Sequence, residues 1–299
     1  MRLASYSHNS EASYGVVLAD RILDLPRAAR ISGLVMPPPD LASFIAAGDM
    51  ARDTADVLVA GHPAEAILDL ADVRFIAPIP RPSKNIFCIG RNYVDHIKER
   101  QADQAIAVKL PEAPQIFTKA PTTVIGPDDT FGLDSTLTAA LDYEVELAVI
   151  IGTTGRNISR AAALSHVFGY SIGNDITARD LQKRHEQWFK GKSLDRSCPF
   201  GPLIVTADEV PDYRQFELSL TVNGEERQRA FASQMIFDVP EIIATLSAGM
   251  TLEAGDIILT GTPSGVGAGF NPPRFLKAGD EVVCTISSIG RLATRIVAA

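Results

Sequence analysis

The 299-residue chain is poor in the features that announce a specialised class of protein. It has three cysteines, Cys88, Cys198 and Cys284, far apart and without a CxxC spacing, which argues against a disulfide framework and against a thiolate zinc site. Any metal should then prefer oxygen ligands. Apolar runs such as residues 147–151 fall far short of the roughly 20 residues that span a bilayer, and the opening Met1-Arg2-Leu3-Ala4-Ser5-Tyr6-Ser7-His8 has no apolar signal core. Basic residues are outnumbered by acidic ones, 28 to 36, and no Lys/Arg cluster offers a face for a phosphate backbone. A cytoplasmic protein with neither membrane nor nucleic acid as partner is expected. What is present is globular: 46% apolar and 21% charged residues allow a large core, for one domain or for a large one with a small companion.

Along the chain, residues 2–24 read as a small β unit, with strands at 14–18 and 22–25 around a turn at Ala19-Asp20. Helical patterns follow at 40–47, opened by Asp40 as N-cap, and at 51–59. Ala77-Pro78-Ile79-Pro80-Arg81-Pro82 cannot enter a helix interior or a central strand, so a boundary falls there, giving a small unit over 1–79 and a larger one over 80–299. Strand patterns recur at 85–89, 115–119, 143–151, 167–176, 216–223, 256–260 and 281–287, and helical ones at 93–104, 177–187 and 234–248, the last to break or begin near Pro240. Asn223-Gly224 and Ile289-Gly290 read as turns, residues 188–202 as a Gly/Pro loop, and the polar residues 101–114 as a mobile loop. Strands without regular helix alternation predict a β-rich α+β fold.

The strongest signal is Tyr143-Glu144-Val145-Glu146-Leu147-Ala148-Val149-Ile150-Ile151. In a strand, Tyr143, Val145, Leu147, Val149 and Ile151 share one face, while Glu144, Glu146, Ala148 and Ile150 share the other. Apolar residues on both faces mark a strand covered on both sides, where a carboxylate must be neutralised, paired or bound to a cation. At about 6 to 7 Å between Cα atoms, the two glutamates would repel by about 2 to 3 kcal/mol at an effective dielectric near ~20. An exposed edge face is the alternative. Asp175 ends the next strand pattern and is either a third carboxylate of the same site or the N-cap of the helix that follows. Three carboxylates with waters suit Mg²⁺ or Mn²⁺, and Ca²⁺ less well.

His96 and Glu99, at i and i+3, would meet on one helix face, where a carboxylate fixing the imidazole tautomer makes a better base, or they belong to a solvated charged helix. A lysine of the 188–202 loop either stabilises a developing oxyanion or is solvated. Thr260-Gly261-Thr262-Pro263-Ser264-Gly265-Val266-Gly267 lacks both GK[ST] and GxGxxG. Its N–H groups and the Thr262 hydroxyl could cradle a substrate carboxylate, or it is a plain glycine-rich turn. Cys198 is better read as a buried filler than a nucleophile. Gly169-Tyr170-Ser171-Ile172-Gly173 matches a nucleophile elbow, but His185 follows too closely to leave room for an acid-bearing strand.

Taken in order, Gly90-Arg91-Asn92-Tyr93 with His96 and Glu99, Tyr143-Glu144-Val145-Glu146, Asp175-Ile176-Thr177-Ala178-Arg179-Asp180, Lys192-Ser193 before Cys198-Pro199, and Thr260-Gly261-Thr262-Pro263 resemble the fumarylacetoacetate hydrolase family over about residues 80–295. The resemblance implies a catalytic fold of β-barrel or β-roll type, a homodimer, and Mg²⁺ or Mn²⁺ held by Glu144, Glu146 and Asp175. It implies His96 and Glu99 as a water-activating dyad on a lid, Lys192 facing an oxyanion, and Arg179, Gln182 and Thr262 on substrate. The eukaryotic prototype has a much larger N-terminal domain and a fourth metal carboxylate near Asn92. This chain is more similar to shorter bacterial members acting on acylpyruvates and related 2-oxo acids of aromatic or sugar-acid catabolism. The expected reaction is metal-dependent hydrolysis of a C–C bond in an acylpyruvate, releasing pyruvate and an acid. Decarboxylation or 2-hydroxymuconate-type isomerisation at the same site is the enzymatic alternative, and a metal-stabilised dimeric ligand-binding protein the non-enzymatic one.

Overall fold

A computed structural model describes residues 1–35, 38–100 and 110–299. Most of the 101–114 segment expected as a loop lies outside the described residues, and residues 110–114 carry no helix or strand. Among the described residues, twelve strands form one sheet. Its main path runs Ile67–Asp69, Arg21–Asp24, Glu11–Leu18, Arg2–His8, Cys198–Thr206, Val167–Asn174, Val145–Ile151, Ile257–Leu259, Ile86–Gly90 and Gln115–Lys119. A second sheet orders Glu225–Phe231, Glu217–Val222, Glu281–Ile286, Gly290–Ala298 and Thr130–Leu133. The architecture is the expected β-rich α+β. The strands before residue 80 continue the large sheet, with Leu3 opposite Ile204.

Val145–Ile151 is buried at every residue because each of its faces meets an apolar layer. Val145, Leu147, Val149 and Ile151 pack into one cluster with Leu218, Leu220 and Ile286 of the second sheet. Ala148 and Ile150 pack into the other, with Cys88, Cys198, Phe200 and Leu259. A strand so enclosed has no water to solvate a charge, and that determines what must surround its two glutamates.

Several local readings change. The helix expected from 177 is Arg179–Arg184, with Ala178 as N-cap and no side-chain cap, so Asp175 does not cap it. Residues 188–202 are not one loop: Phe189–Lys192 is a short helix and Cys198–Thr206 a wholly buried strand. The 234–248 pattern becomes Val239–Ser247, with Pro240 in the first turn, where its missing N–H costs nothing. Of the helix expected at 93–104, Val94–Arg100 is helical, Tyr93 forms an isolated bridge with Met235, and residues 101–104 lie outside the described residues. Ser171 is buried within Val167–Asn174 and donates to the Leu203 carbonyl, which disposes of the nucleophile elbow. No helix among the described residues is long and apolar enough to cross a membrane.

Candidate active site

Glu146 opens onto the sheet interior from Val145–Ile151, while Glu144 sits one residue before that strand and Asp175 one residue after Val167–Asn174. Pairing of Val145 with Asn174 brings these strand ends together, and the Asp175 N–H donates to the Glu144 carbonyl at 2.9 Å. One carboxylate oxygen from each of Glu144, Glu146 and Asp175 lies within 4.8 Å of the others, and all three residues are buried. The pattern predicted from the sequence is thus one cluster rather than an exposed edge.

Cations surround it. Lys192 Nζ donates to Glu144 Oε2 and to Asp175 Oδ2, both at 2.6 Å. Arg179 donates from Nη2 to Glu144 Oε1 at 2.6 Å and from Nε to Asp142 Oδ2 at 2.8 Å. Lys119, with no exposed surface, donates to Asp175 Oδ1 at 2.8 Å and to the carbonyls of Ile176 and Lys192. Lys192 is therefore no solvated loop lysine; the helix Phe189–Lys192 delivers it to the acids. Sequence reasoning missed Lys119 and Asp142.

Four carboxylates face three cations, leaving one negative charge in excess. Burial pushes the Glu144 carboxyl up, but Lys192 and Arg179 together outweigh it and hold the group well below the usual carboxylate range. Glu146 is the reverse: burial first, then the charges of Asp175 and Glu144, push it well above that range, against weaker help from Lys192 and from the Gly261 N–H at 2.6 Å. An all-oxygen set with one uncompensated acid fits a hard divalent cation. Glu146 also sets a pH expectation. Its folded pKa exceeds its unfolded one, so the folded state binds the extra proton and stability falls as pH rises above roughly 5. Glu144, held low, contributes stability already complete in that window. Metal-free protein should lose melting temperature from pH 5 upward, and Mn²⁺ should remove most of that loss; a slope unchanged by Mn²⁺ would exclude Glu146 as ligand.

A cavity of about 310 Å³ adjoins the cluster, lined by His96, Glu144, Glu146, Arg179, Gln182, Lys192 and Thr262. Asp175 stands behind it, bonded to Lys192, and Glu99 stands behind His96, its Oε2 lying 3.4 Å from Nδ1. That contact is not an aligned hydrogen bond: among the described residues His96 Nδ1 is buried without a hydrogen-bond partner. Phe117 and Trp188, rings 5.2 Å apart, form an aromatic wall. Gln182 accepts from Arg179 Nη1 at 3.3 Å. The Thr262 hydroxyl donates to the Val145 carbonyl at 3.0 Å and accepts from Gln228 at 2.8 Å, so it fixes the loop as well as lining the cavity.

The glycine-rich segment does cradle carboxylates, but they are the protein's own. Gly261 serves Glu146, Gly265 serves Glu99, and Gly267 and Ala268 serve Asp142. Asn92 is turned away from the acids. It donates to the carbonyls of Phe237 and Thr260 at 2.9 and 2.7 Å and accepts from the Phe237 N–H at 2.7 Å. Asn92→Ala should cost about 3 kcal/mol in denaturant unfolding, at roughly 1 kcal/mol per lost bond, with Mn²⁺ affinity unchanged. Weakened Mn²⁺ binding would instead make Asn92 part of the ion site. Cys198 is confirmed as filler, its thiol pushed up to about 12 by burial.

A fold with a buried acidic triad flanked by lysines and arginine at a cavity defines a class, and the comparisons give its name. The chain belongs to the fumarylacetoacetate hydrolase family: the family model described as "Fumarylacetoacetate (FAA) hydrolase C-terminal" matches residues 85–297. The chain is 47% identical to oxaloacetate tautomerase YisK of Bacillus subtilis (strain 168), over 99% of this chain and 100% of that one. Among solved structures it is similar to a fumarylacetoacetate hydrolase from Exiguobacterium antarcticum, with TM-score 0.84, 42% identity and full coverage of both chains. A maleylpyruvate hydrolase from Sphingobium sp. SYK-6, in complex with manganese(II) and pyruvate, matches with TM-score 0.79 and 30% identity, again over both full chains.

Proposed function

We propose that this protein is a divalent-cation-dependent tautomerase of oxaloacetate-type 2-oxo dicarboxylic acids, interconverting their enol and keto forms. The observation that carries the reading is end-to-end similarity to an oxaloacetate tautomerase, joined to a small cavity whose buried charges suit a compact anion. Glu144, Glu146 and Asp175 would hold Mg²⁺ or Mn²⁺, and the bound ion would supply a Lewis acid for the 2-oxo acid. It would also turn the cluster's one excess negative charge into one excess positive charge, favouring an anionic substrate.

The reaction breaks the enol O–H bond and forms a C–H bond at C3. His96, buried at the cavity wall, is the group to carry that proton, and Glu99 offsets the charge the imidazole gains on taking it. Arg179 and Lys192 are locked by their carboxylate partners before substrate arrives, so they face the enolate and carboxylate oxygens without reorganising. Residues 1–79 act as scaffold, continuing the sheet from Cys198–Thr206, next to the strand Val167–Asn174 that precedes Asp175.

The test follows the ultraviolet band of enol oxaloacetate with Mn²⁺ present. Faster loss of the enol, without stoichiometric pyruvate, is the expected result. C–C hydrolysis is the second reading, favoured by the structural match to maleylpyruvate hydrolase and by a His/Glu pair that would serve equally to activate water. Pyruvate and an acid released from an acylpyruvate, with no effect on the enol band, would make it the right one.

A further inference from the structure

We propose that Gly269 is a positioning residue: its bare Cα seats the Glu99 carboxylate, and through Glu99 it holds the helix Val94–Arg100 so that His96 faces the cavity. This rests on the reading of His96 and Glu99 as the proton-handling pair. Both Glu99 oxygens accept from the Gly265 N–H, at 3.0 and 3.1 Å, and the carboxylate lies directly over Gly269. A Cβ built on Gly269 would stand 2.0 Å from Glu99 Oε1 and 2.1 Å from its Cδ, and the three nearest atoms all belong to Glu99. Gly261 and Gly265 have φ of +100° and +99°, so their backbone demands glycine. Gly269 is not among the residues of positive φ, so here the demand is for space alone.

The obstacle to a methyl group is the far end of a flexible side chain, so the fold should yield there rather than fail. Glu99 would leave Gly265, and His96 would lose the anion beside it. The triad should not notice, because Glu146 is held from Gly261, eight positions earlier in the chain.

The test is a double-mutant cycle of Gly269→Ala and Glu99→Ala, read by turnover, by hydrogen exchange of the Ile97 N–H that donates to the Tyr93 carbonyl, and by Mn²⁺ titration of Trp188 fluorescence. Gly269→Ala alone should lower kcat by about tenfold and speed Ile97 exchange by about tenfold, with KM and Mn²⁺ affinity within about twofold. In the Glu99→Ala background the same change should alter neither kcat nor exchange by more than about twofold, because the three atoms nearest the methyl group are then gone. Wild-type behaviour of Gly269→Ala, or an equal loss in both backgrounds, overturns the proposal. If Gly269→Ala fails to fold, recovery of folding in the double variant supports the same seating and its absence overturns it. Should the wild-type protein show no tautomerase turnover, that defeats the proposed activity, whereas the exchange measurement still decides the seating of Glu99.

Discussion

Lys192→Met is expected to destabilise the metal-free protein by about 3 to 5 kcal/mol and to lower turnover by roughly 10²-fold or more. Lys192 is 1% exposed, and its ammonium bridges Glu144 and Asp175 at 2.6 Å each. Methionine keeps most of the stem and the packing over Phe117, whose ring centre lies 4.9 Å from Nζ, and removes the charge together with its two hydrogen bonds to Glu144 and Asp175. Two buried carboxylates then face each other with less compensation, and such an uncompensated buried charge is far more costly than the intact pair is stabilising. A divalent cation held by the same acids would neutralise the same oxygens. The rise in melting temperature on adding Mn²⁺ should therefore be larger in Lys192→Met than in the unaltered protein. An equal or smaller rise would mean that lysine and metal do not answer the same excess of negative charge.

That charge balance also explains what could be read in advance. Glu144 and Glu146 stood out because their strand pattern continues with apolar residues on both faces, which made burial a real alternative to an exposed edge, and the structure shows the burial. Asp175, at the end of the next strand pattern, stayed open between the same site and a helix N-cap, and the family resemblance placed it with the two glutamates. Lys119 did not, since a lysine closing Gln115–Lys119 looks the same whether its ammonium snorkels to water or is swallowed. Asp142, before the glutamates, looked like an ordinary polar residue. Three buried acids already required more than one cation, and a search for a lysine at the end of a strand pattern beside the site was the available signal.

The strand Cys198–Thr206 was hidden for a different reason. Pro199, Gly201 and Pro202 are loop residues by local rule, but the strand pairs with Val167–Asn174 across a register shift between Tyr170 and Ile172, where the ladder is already interrupted. Tertiary burial at all nine residues overrides the local preference. The loop at 260–267 was correctly read as glycine-rich, but not what its N–H groups bind. Those donors are taken up by Glu146, Glu99 and Asp142, residues brought to it from two separate parts of the chain.

His96→Ala is the complementary large effect. It should reduce tautomerisation by about 10² to 10⁴-fold, the usual range for a lost proton-transfer group, while Mn²⁺ affinity stays within about twofold. The imidazole lines the cavity but is not one of the three acids whose oxygens converge, so its loss leaves every contact of Lys192 and Arg179 with Glu144 in place. Glu146→Gln is the contrasting control. It retains the Gly261 contact, removes the one acid whose charge the protein leaves uncompensated, and should lower Mn²⁺ affinity together with turnover. Alanine is preferable to glutamine at His96, because an amide could still donate a hydrogen bond toward the cavity and mask the loss of proton transfer. Near-normal turnover in His96→Ala would move the proton-transfer role to another group on the cavity wall. Loss of Mn²⁺ binding in that variant would instead place the imidazole in the ion site itself, and the separation between the group that carries the proton and the groups that hold the charge would collapse.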